Sequence, residues 1–230
     1  EGTAKNVVLT LAFCVGAYIV VPAAIYLLSY LPYFLCAESP YDLQGVWGVQ
    51  EFMFNYHSKL TATHPYESRW FTWPLSIRPI WYYQGKFLPE DVVESIVAFG
   101  NPAVWLTGAF GLVTLIVQRA RRTAWDSAAA TFALVGFAAQ FVPWVLITRA
   151  TFIYHYFPSV PFVILALTLS LMAWEKRSAL GADAARLLRF VLPMAALALF
   201  IAFYPIIAGM EVPRWYASNL RWFPSWTFFI

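Results

Sequence analysis

NVVLTLAFCVGAYIVVPAAIYLLSYLPYFLCA, residues 6–37, contains no Asp, Glu, Lys or Arg. A helix needs about 20 predominantly apolar residues to cross the hydrocarbon core of a bilayer, and this stretch exceeds that. It is too long for a secretory signal and lacks a convincing cleavage site. Four further uncharged runs follow: Ser95–Gln118, Ser127–Thr148, Ala150–Trp174 and Phe190–Met210. Five spans are therefore expected near Val7–Leu31, Pro102–Val117, Ala128–Ile147, Pro158–Trp174 and Phe190–Ala208. The fold class is an all-α, polytopic membrane helix bundle.

Composition agrees. The chain is 61% hydrophobic, 19% aromatic and only 12% charged, where a soluble domain is about a quarter charged. Eleven Trp and thirteen Tyr suit a chain that crosses membrane–water interfaces repeatedly. A net charge of +3 is too small to argue for nucleic acid. Its distribution says more. If the spans alternate, Lys5, the Gln118–Asp126 link and the Glu175–Arg189 link share one side. Basic residues are densest in those short links, which marks that side as cytoplasmic. The long segment from Glu38, the Arg149–Phe157 turn and the tail from Glu211 then lie outside. Cys14 and Cys36 sit about 33 Å apart along one helix, too far for a disulfide.

The segment 38–100 is the one long non-spanning piece. Within it, Asp42–Ala62 has helical periodicity, with Val46, Val49, Met53, Tyr56 and Leu60 near one stripe. That pattern fits a helix lying in the interface or one packed on neighbouring spans. Beyond it, periodicity gives way to prolines and rings: His64-Pro-Tyr66-Glu67-Ser-Arg69-Trp70-Phe-Thr-Trp73-Pro, then Arg78-Pro-Ile-Trp-Tyr-Tyr83. An aromatic belt explains the rings but not His64, Glu67, Arg69 and Arg78 packed among them. Charged groups at that depth usually pair or bind something.

Arg149-Ala-Thr-Phe-Ile-Tyr154-His155-Tyr156-Phe-Pro158 joins the third and fourth spans. Arg149 can grip a phosphate through two hydrogen bonds or can simply snorkel to headgroups. His155 can donate to a phosphate oxygen or move a proton, or satisfy a helix end. Tyr154 and Tyr156 can hydrogen-bond or stack on a sugar. His57 reads as structural. Nucleotide-binding glycine loops and a nucleophile elbow are absent from the sequence, and three scattered histidines make no credible metal site.

Taken in order, Asn55-Tyr-His57, the His64–Pro74 run, Arg78–Tyr83 and Arg149–Pro158 resemble the C-terminal four-helix region of the protein O-mannosyltransferases. The resemblance covers roughly Gln44 to the end. It implies a glycosyltransferase of the GT-C class that moves mannose from a polyprenyl-phosphate carrier to Ser or Thr of a translocating protein. The implied partners are the polyprenyl-phosphate sugar, an acceptor protein or peptide, membrane lipids and the protein translocation machinery. No cofactor is implied, because the lipid-linked sugar is a substrate. Residues 1–36 would be the last helix of an upstream catalytic module, and 37–230 the four-transmembrane region with external loop 38–100. The family's catalytic Asp-Glu pair lies in its first external loop, and nothing here corresponds to it: Asp42, Glu51 and Glu67 are not that motif. The base is therefore expected outside this sequence. The large domain inserted in eukaryotic members is absent too, which points to a bacterial type in the cell membrane. Arg149 with His155 would hold the donor phosphate, Arg69 and Arg78 being the next candidates, while Tyr66, Trp70 and Trp73 would shape the sugar or peptide side. Two other classes stay open: a related enzyme with a lipid or polysaccharide acceptor, and a non-catalytic membrane scaffold or transporter component. Spans nearly devoid of polar residues, Gln140 being among the few, argue against transport.

Overall fold

The computed structural model describes residues 2–35, 42–124, 126–176 and 179–229. They form two compact bodies, residues 1–60 and 61–230. Cys36 lies outside the described residues.

In the first body, α1 (Gly2–Val15) continues through a π-helical turn, Gly16–Val20, into α2 (Val21–Leu28). Pro22 is the cause. It has no N–H to give and its ring crowds the preceding turn. The wider turn just upstream, where Val21 N–H reaches Gly16 O, absorbs the misfit. A short α3 (Leu31–Leu35) completes the apolar stretch, and Thr3–Leu35 is long and apolar enough to cross a membrane. The amphipathic segment is realised as α4 (Leu43–Lys59), whose Asp42 side chain caps the Gly45 N–H at 2.8 Å. Its anchor to α2 is polar. Tyr26 OH donates to Gln50 Oε1 (2.6 Å), Gln50 Nε2 donates to Tyr30 OH (2.7 Å), and the two hydroxyls lie 2.9 Å apart. The expected apolar stripe is only partly realised. Val46 is buried, but Met53 and Tyr56 are exposed, because the helix is tied through Gln50 rather than along the stripe.

Among its described residues the second body holds four helices long and apolar enough to cross a membrane. They are α5 (Pro102–Ala120), α6 (Ser127–Phe141, extended by a 3-10 turn at Val142–Leu146), α7 (Val160–Glu175, preceded by a 3-10 turn at Ile153–Ser159) and α8 (Ala179–Ile207). Together with the first stretch this makes five, as expected. Helices α5 and α7 run parallel and pack most closely. Small residues permit it: a Cβ on Gly111 would stand 2.5 Å from the Leu167 Cα, a backbone atom. Ser170 Oγ donates to Gly111 O (3.0 Å) and Gln118 Nε2 to Ser170 O (3.2 Å), the small-residue and polar cross-links that join helices in lipid. Leu115, Ala130, Ala133 and Ala166 fill the centre. Gly111→Val is expected to lower the stability of this body by about 1–3 kcal/mol through overpacking, read as a lower Tm in detergent.

Two details depart from expectation. The segment after α4 is not purely irregular. It carries β1 (Ile80–Gln84) paired antiparallel with β3 (Ser95–Ala98), and β2 (Val92–Val93) pairs with β4 (Val212–Pro213). Strands this short leave no legible alternation. Second, the apolar run Phe190–Ala208 is not all lipid-facing. Asn101, which caps α5, donates to the Ala196 carbonyl in the middle of α8 (2.8 Å). The last turns of α8 therefore rise beyond the start of α5. There Phe203 and Ile206 enter a core with Val93, Val97, Trp226 and Phe228. The tail that supplies this core, including α9 (Arg214–Leu220), is pinned by Trp226 Nε1 donating to Ser76 O (2.8 Å) and by the Ser225–Ile77 hydrogen bond.

Candidate functional site

The two suspect runs of sequence, 64–83 and 149–158, meet at the end of the second body where α5 and α7 begin. Their clasp is a reciprocal pair: Ser68 N–H donates to Thr151 O (2.8 Å) and Thr151 Oγ1 donates to Ser68 O (2.7 Å). Trp73 seals it from below, its Nε1 donating to Ser68 Oγ (3.0 Å). Trp73 is 1% exposed and lies in a 3-10 turn (Trp70–Leu75). Around it stand Phe141, Trp144 and the stacked His155 ring.

His64 and His155 are both oriented by backbone. His64 Nδ1 accepts the Tyr66 N–H (3.2 Å). That leaves Nε2 free to face a ligand on an exposed ring. His155 Nδ1 lies 2.9 Å from Phe152 O and 3.1 Å from Phe152 N. It can donate to one or accept from the other, and the choice sets whether Nε2 accepts or donates toward a ligand. Tyr154 lies against His155 and Phe152, and Phe152 against His64. One continuous ring surface thus joins the two runs.

Positive charge borders that surface. Arg78 donates to Glu67 O (3.3 Å) and its charge is felt at the Tyr66 hydroxyl. Arg149 is close enough for its charge to be felt at His155. Arg69 is exposed at the start of the Trp70–Leu75 turn. None of these three guanidiniums is held in an ion pair among the described residues. Glu67, the nearest acid by sequence, points its carboxylate at the His64 backbone N–H (3.3 Å) instead. Burial pushes the Tyr66 hydroxyl above the ordinary tyrosine value, and the Arg78 charge opposes that rise. Tyr66 therefore stays a protonated donor at neutral pH.

Of the residues singled out from sequence, the structure brings His64, Tyr66, Glu67, Arg78, Tyr154 and His155 into one cluster, with Trp70 on its flank against Phe141. Tyr156, expected at the site from sequence, lies off the exposed ring surface. It is 1% exposed and packed among Trp105, Phe137 and Phe141, so it is a wall of the core. Trp73 is likewise support rather than surface.

Tyr82 was not singled out. The β1–β3 register slips between Trp81 and Tyr83, and this bulge turns Tyr82 out to an exposed position. Partial burial raises its hydroxyl above the ordinary tyrosine value, and the neighbouring Tyr154 hydroxyl adds to the rise. Its only signal in the sequence was its place in the Arg78–Tyr83 run.

The fold and this cluster define a polytopic helical membrane protein with a cationic, aromatic site at one end of its bundle. The chain belongs to the protein O-mannosyltransferase family: residues 42–226 match the family's "C-terminal four TMM region of protein-O-mannosyltransferase". It is 28% identical, over 92% of its length, to a polyprenol-phosphate-mannose–protein mannosyltransferase of Mycolicibacterium smegmatis, and covers 47% of that protein. With the protein of the same name from Corynebacterium glutamicum it shares 28% identity over 98% of its length, covering 48% of that protein. Dolichyl-phosphate-mannose–protein mannosyltransferase 1 of Saccharomyces cerevisiae is 27% identical over 76% of this chain. The chain spans about half the length of the bacterial relatives it matches. The S. cerevisiae protein O-mannosyltransferase Pmt1-Pmt2 complex bound to the sugar donor has the same fold over 84% of this chain and 28% of that chain, with a TM-score of 0.63 and 23% identity.

Proposed function

We propose that this chain is the C-terminal part of a polyprenyl-phosphate-mannose-dependent mannosyltransferase that glycosylates Ser and Thr hydroxyls of proteins on the outer face of the cell membrane. One observation carries the proposal. Arg78 and Arg149, neither paired with a carboxylate among the described residues, border a surface of tyrosine and histidine rings at one end of an apolar bundle. A lipid phosphate bearing a sugar matches that surface: guanidinium for phosphate, ring faces and hydroxyls for mannose. The names of the relatives support the same reading.

In the proposed reaction the acceptor oxygen forms a bond to the anomeric carbon of mannose. The bond from that carbon to the phosphate oxygen breaks, and its electron pair leaves with polyprenyl phosphate. The acceptor proton passes to a base supplied by the family's Asp-Glu motif, which lies outside this sequence. Negative charge grows on the departing phosphate, and groups preorganised around it lower the barrier most. In this proposal Arg149 supplies that positive charge and His155 Nε2 a hydrogen bond. Arg78, His64 and Tyr82 hold the sugar or acceptor side. No cofactor is invoked, since the donor is itself a substrate. The acceptor is a polypeptide emerging through the membrane, which makes the translocation machinery the expected neighbour. The dense basic links Gln118–Asp126 and Glu175–Arg189 support a cytoplasmic position for the opposite end.

The test is transfer of labelled mannose from polyprenyl-phosphate mannose to a Ser/Thr-rich peptide by the full-length protein in membranes. Transfer is expected. Donor binding without transfer to peptide would overturn the protein acceptor, and neither binding nor transfer would overturn the enzyme reading altogether.

A further inference from the structure

Between α5, α7 and α8 lies a cleft of about 410 Å³ that runs from the first turn of α5, at Ala103 and Val104, to Arg189 on α8. Its walls are apolar, including Val104, Leu167, Leu171 and Leu192. Its two threonines are spent: Thr107 Oγ1 donates to Ala103 O, and Thr168 Oγ1 to Ile164 O (2.9 Å). A peptide backbone laid here would leave its amides unsatisfied. Hydrocarbon would not.

Polarity enters from one end only. Arg189 lines the cavity, and so does Pro193, four residues on. Proline has no N–H, so the Arg189 carbonyl lacks its helical donor. Side chains on α8 lean toward its N-terminus, so Arg189 and Arg186 reach toward the α7–α8 link. There Glu175 accepts from Arg186 Nε (3.2 Å) and from Arg189 Nη1, and Asp183 lies 3.5 Å from Arg186. Those carboxylates hold the forks in place and use only part of their five donors each. Three further arginines, 119, 121 and 122, stand at the end of α5 or just beyond it, where α5 approaches the same membrane boundary.

We propose that this cavity is a binding site for an anionic glycerophospholipid of the leaflet on the α7–α8 link side. One acyl chain lies between α5, α7 and α8, the phosphate meets Arg189 and Arg186, and a headgroup or glycerol hydroxyl donates to the Arg189 carbonyl. The site is independent of the mannosyl-transfer reading; its apolar end reaches the first turn of α5, and its charged end at Arg189 points toward the α7–α8 link.

The test uses the full-length protein in vesicles of equimolar dioleoyl-phosphatidylglycerol and dioleoyl-phosphatidylcholine with a little polyprenyl phosphate. A photoreactive residue is placed by Leu192→p-benzoylphenylalanine inside the cavity, or by Leu187→p-benzoylphenylalanine at a position 63% exposed on the same helix. The Leu192 probe is expected to capture phosphatidylglycerol over phosphatidylcholine by roughly fivefold, the preference that one or so basic side chains confer. The Leu187 probe should take the two in proportion, and Arg189→Gln should abolish the excess at Leu192 while leaving Leu187 capture unchanged. Equal ratios at both positions would overturn the site and leave ordinary boundary lipid. Capture of polyprenyl phosphate, or of another segment of the protein itself, would assign the cavity a different occupant and overturn the proposal equally.

Discussion

Arg149→Ala in the full-length protein is expected to lower mannosyl transfer by roughly 10²- to 10³-fold, the usual cost of removing one preorganised group at a developing charge. The expectation rests on where Arg149 sits. It follows the Val142–Leu146 turn that ends the third span, and it lies within electrostatic reach of His155. No carboxylate among the described residues neutralises it. A snorkelling arginine would behave otherwise: its loss would alter insertion slightly and transfer hardly at all. Arg149→Lys separates charge from geometry, because lysine keeps the charge but not the planar fork. It should recover part of the activity. Initial rates in membranes at matched expression read both variants.

Trp73→Ala should carry the largest structural penalty, about 3–5 kcal/mol for a buried Trp. Trp73 closes the site from beneath. It is 1% exposed, donates to Ser68, and packs on Phe141, Trp144 and His155. Its removal opens a void under the Ser68–Thr151 clasp and frees the His155 ring. Tm in detergent should fall steeply, and transfer should fall with it even where folded protein is recovered. Trp73→Phe, which keeps most of the packing and loses the N–H, should cost about 1 kcal/mol. Trp215, 65% exposed on α9, is the control: Trp215→Ala should shift stability within about 0.5 kcal/mol.

These expectations show which parts of the molecule can be read from sequence. The spans can, because a long uncharged run has few alternatives in water or lipid. The start of α4 can, because Asp42 caps it in the ordinary way. The reach of α8 cannot. Its apolar run answers to two environments, lipid below Ala196 and the Phe203–Trp226 core above it, and composition does not mark the change. The four short strands are hidden by their shortness. Within the cluster, the residue types that bind phosphate were visible, but their sorting into surface and support was not. Tyr154 and Tyr156 are two residues apart in one 3-10 turn, yet one is exposed and the other packed in the core. Tyr82 reaches the surface only through a register slip in β1–β3, which no local pattern announces.

The central claim is that the paired runs 64–83 and 149–158 build a phosphate-binding surface. Its most direct measurement is the equilibrium affinity of the full-length protein for polyprenyl phosphate, without transfer, compared between wild type and Arg149→Ala. A loss of roughly tenfold or more, matching a charge-assisted hydrogen bond to phosphate, is the predicted result. An unchanged affinity, with the variant folded to the same Tm, would contradict it and move the donor phosphate elsewhere.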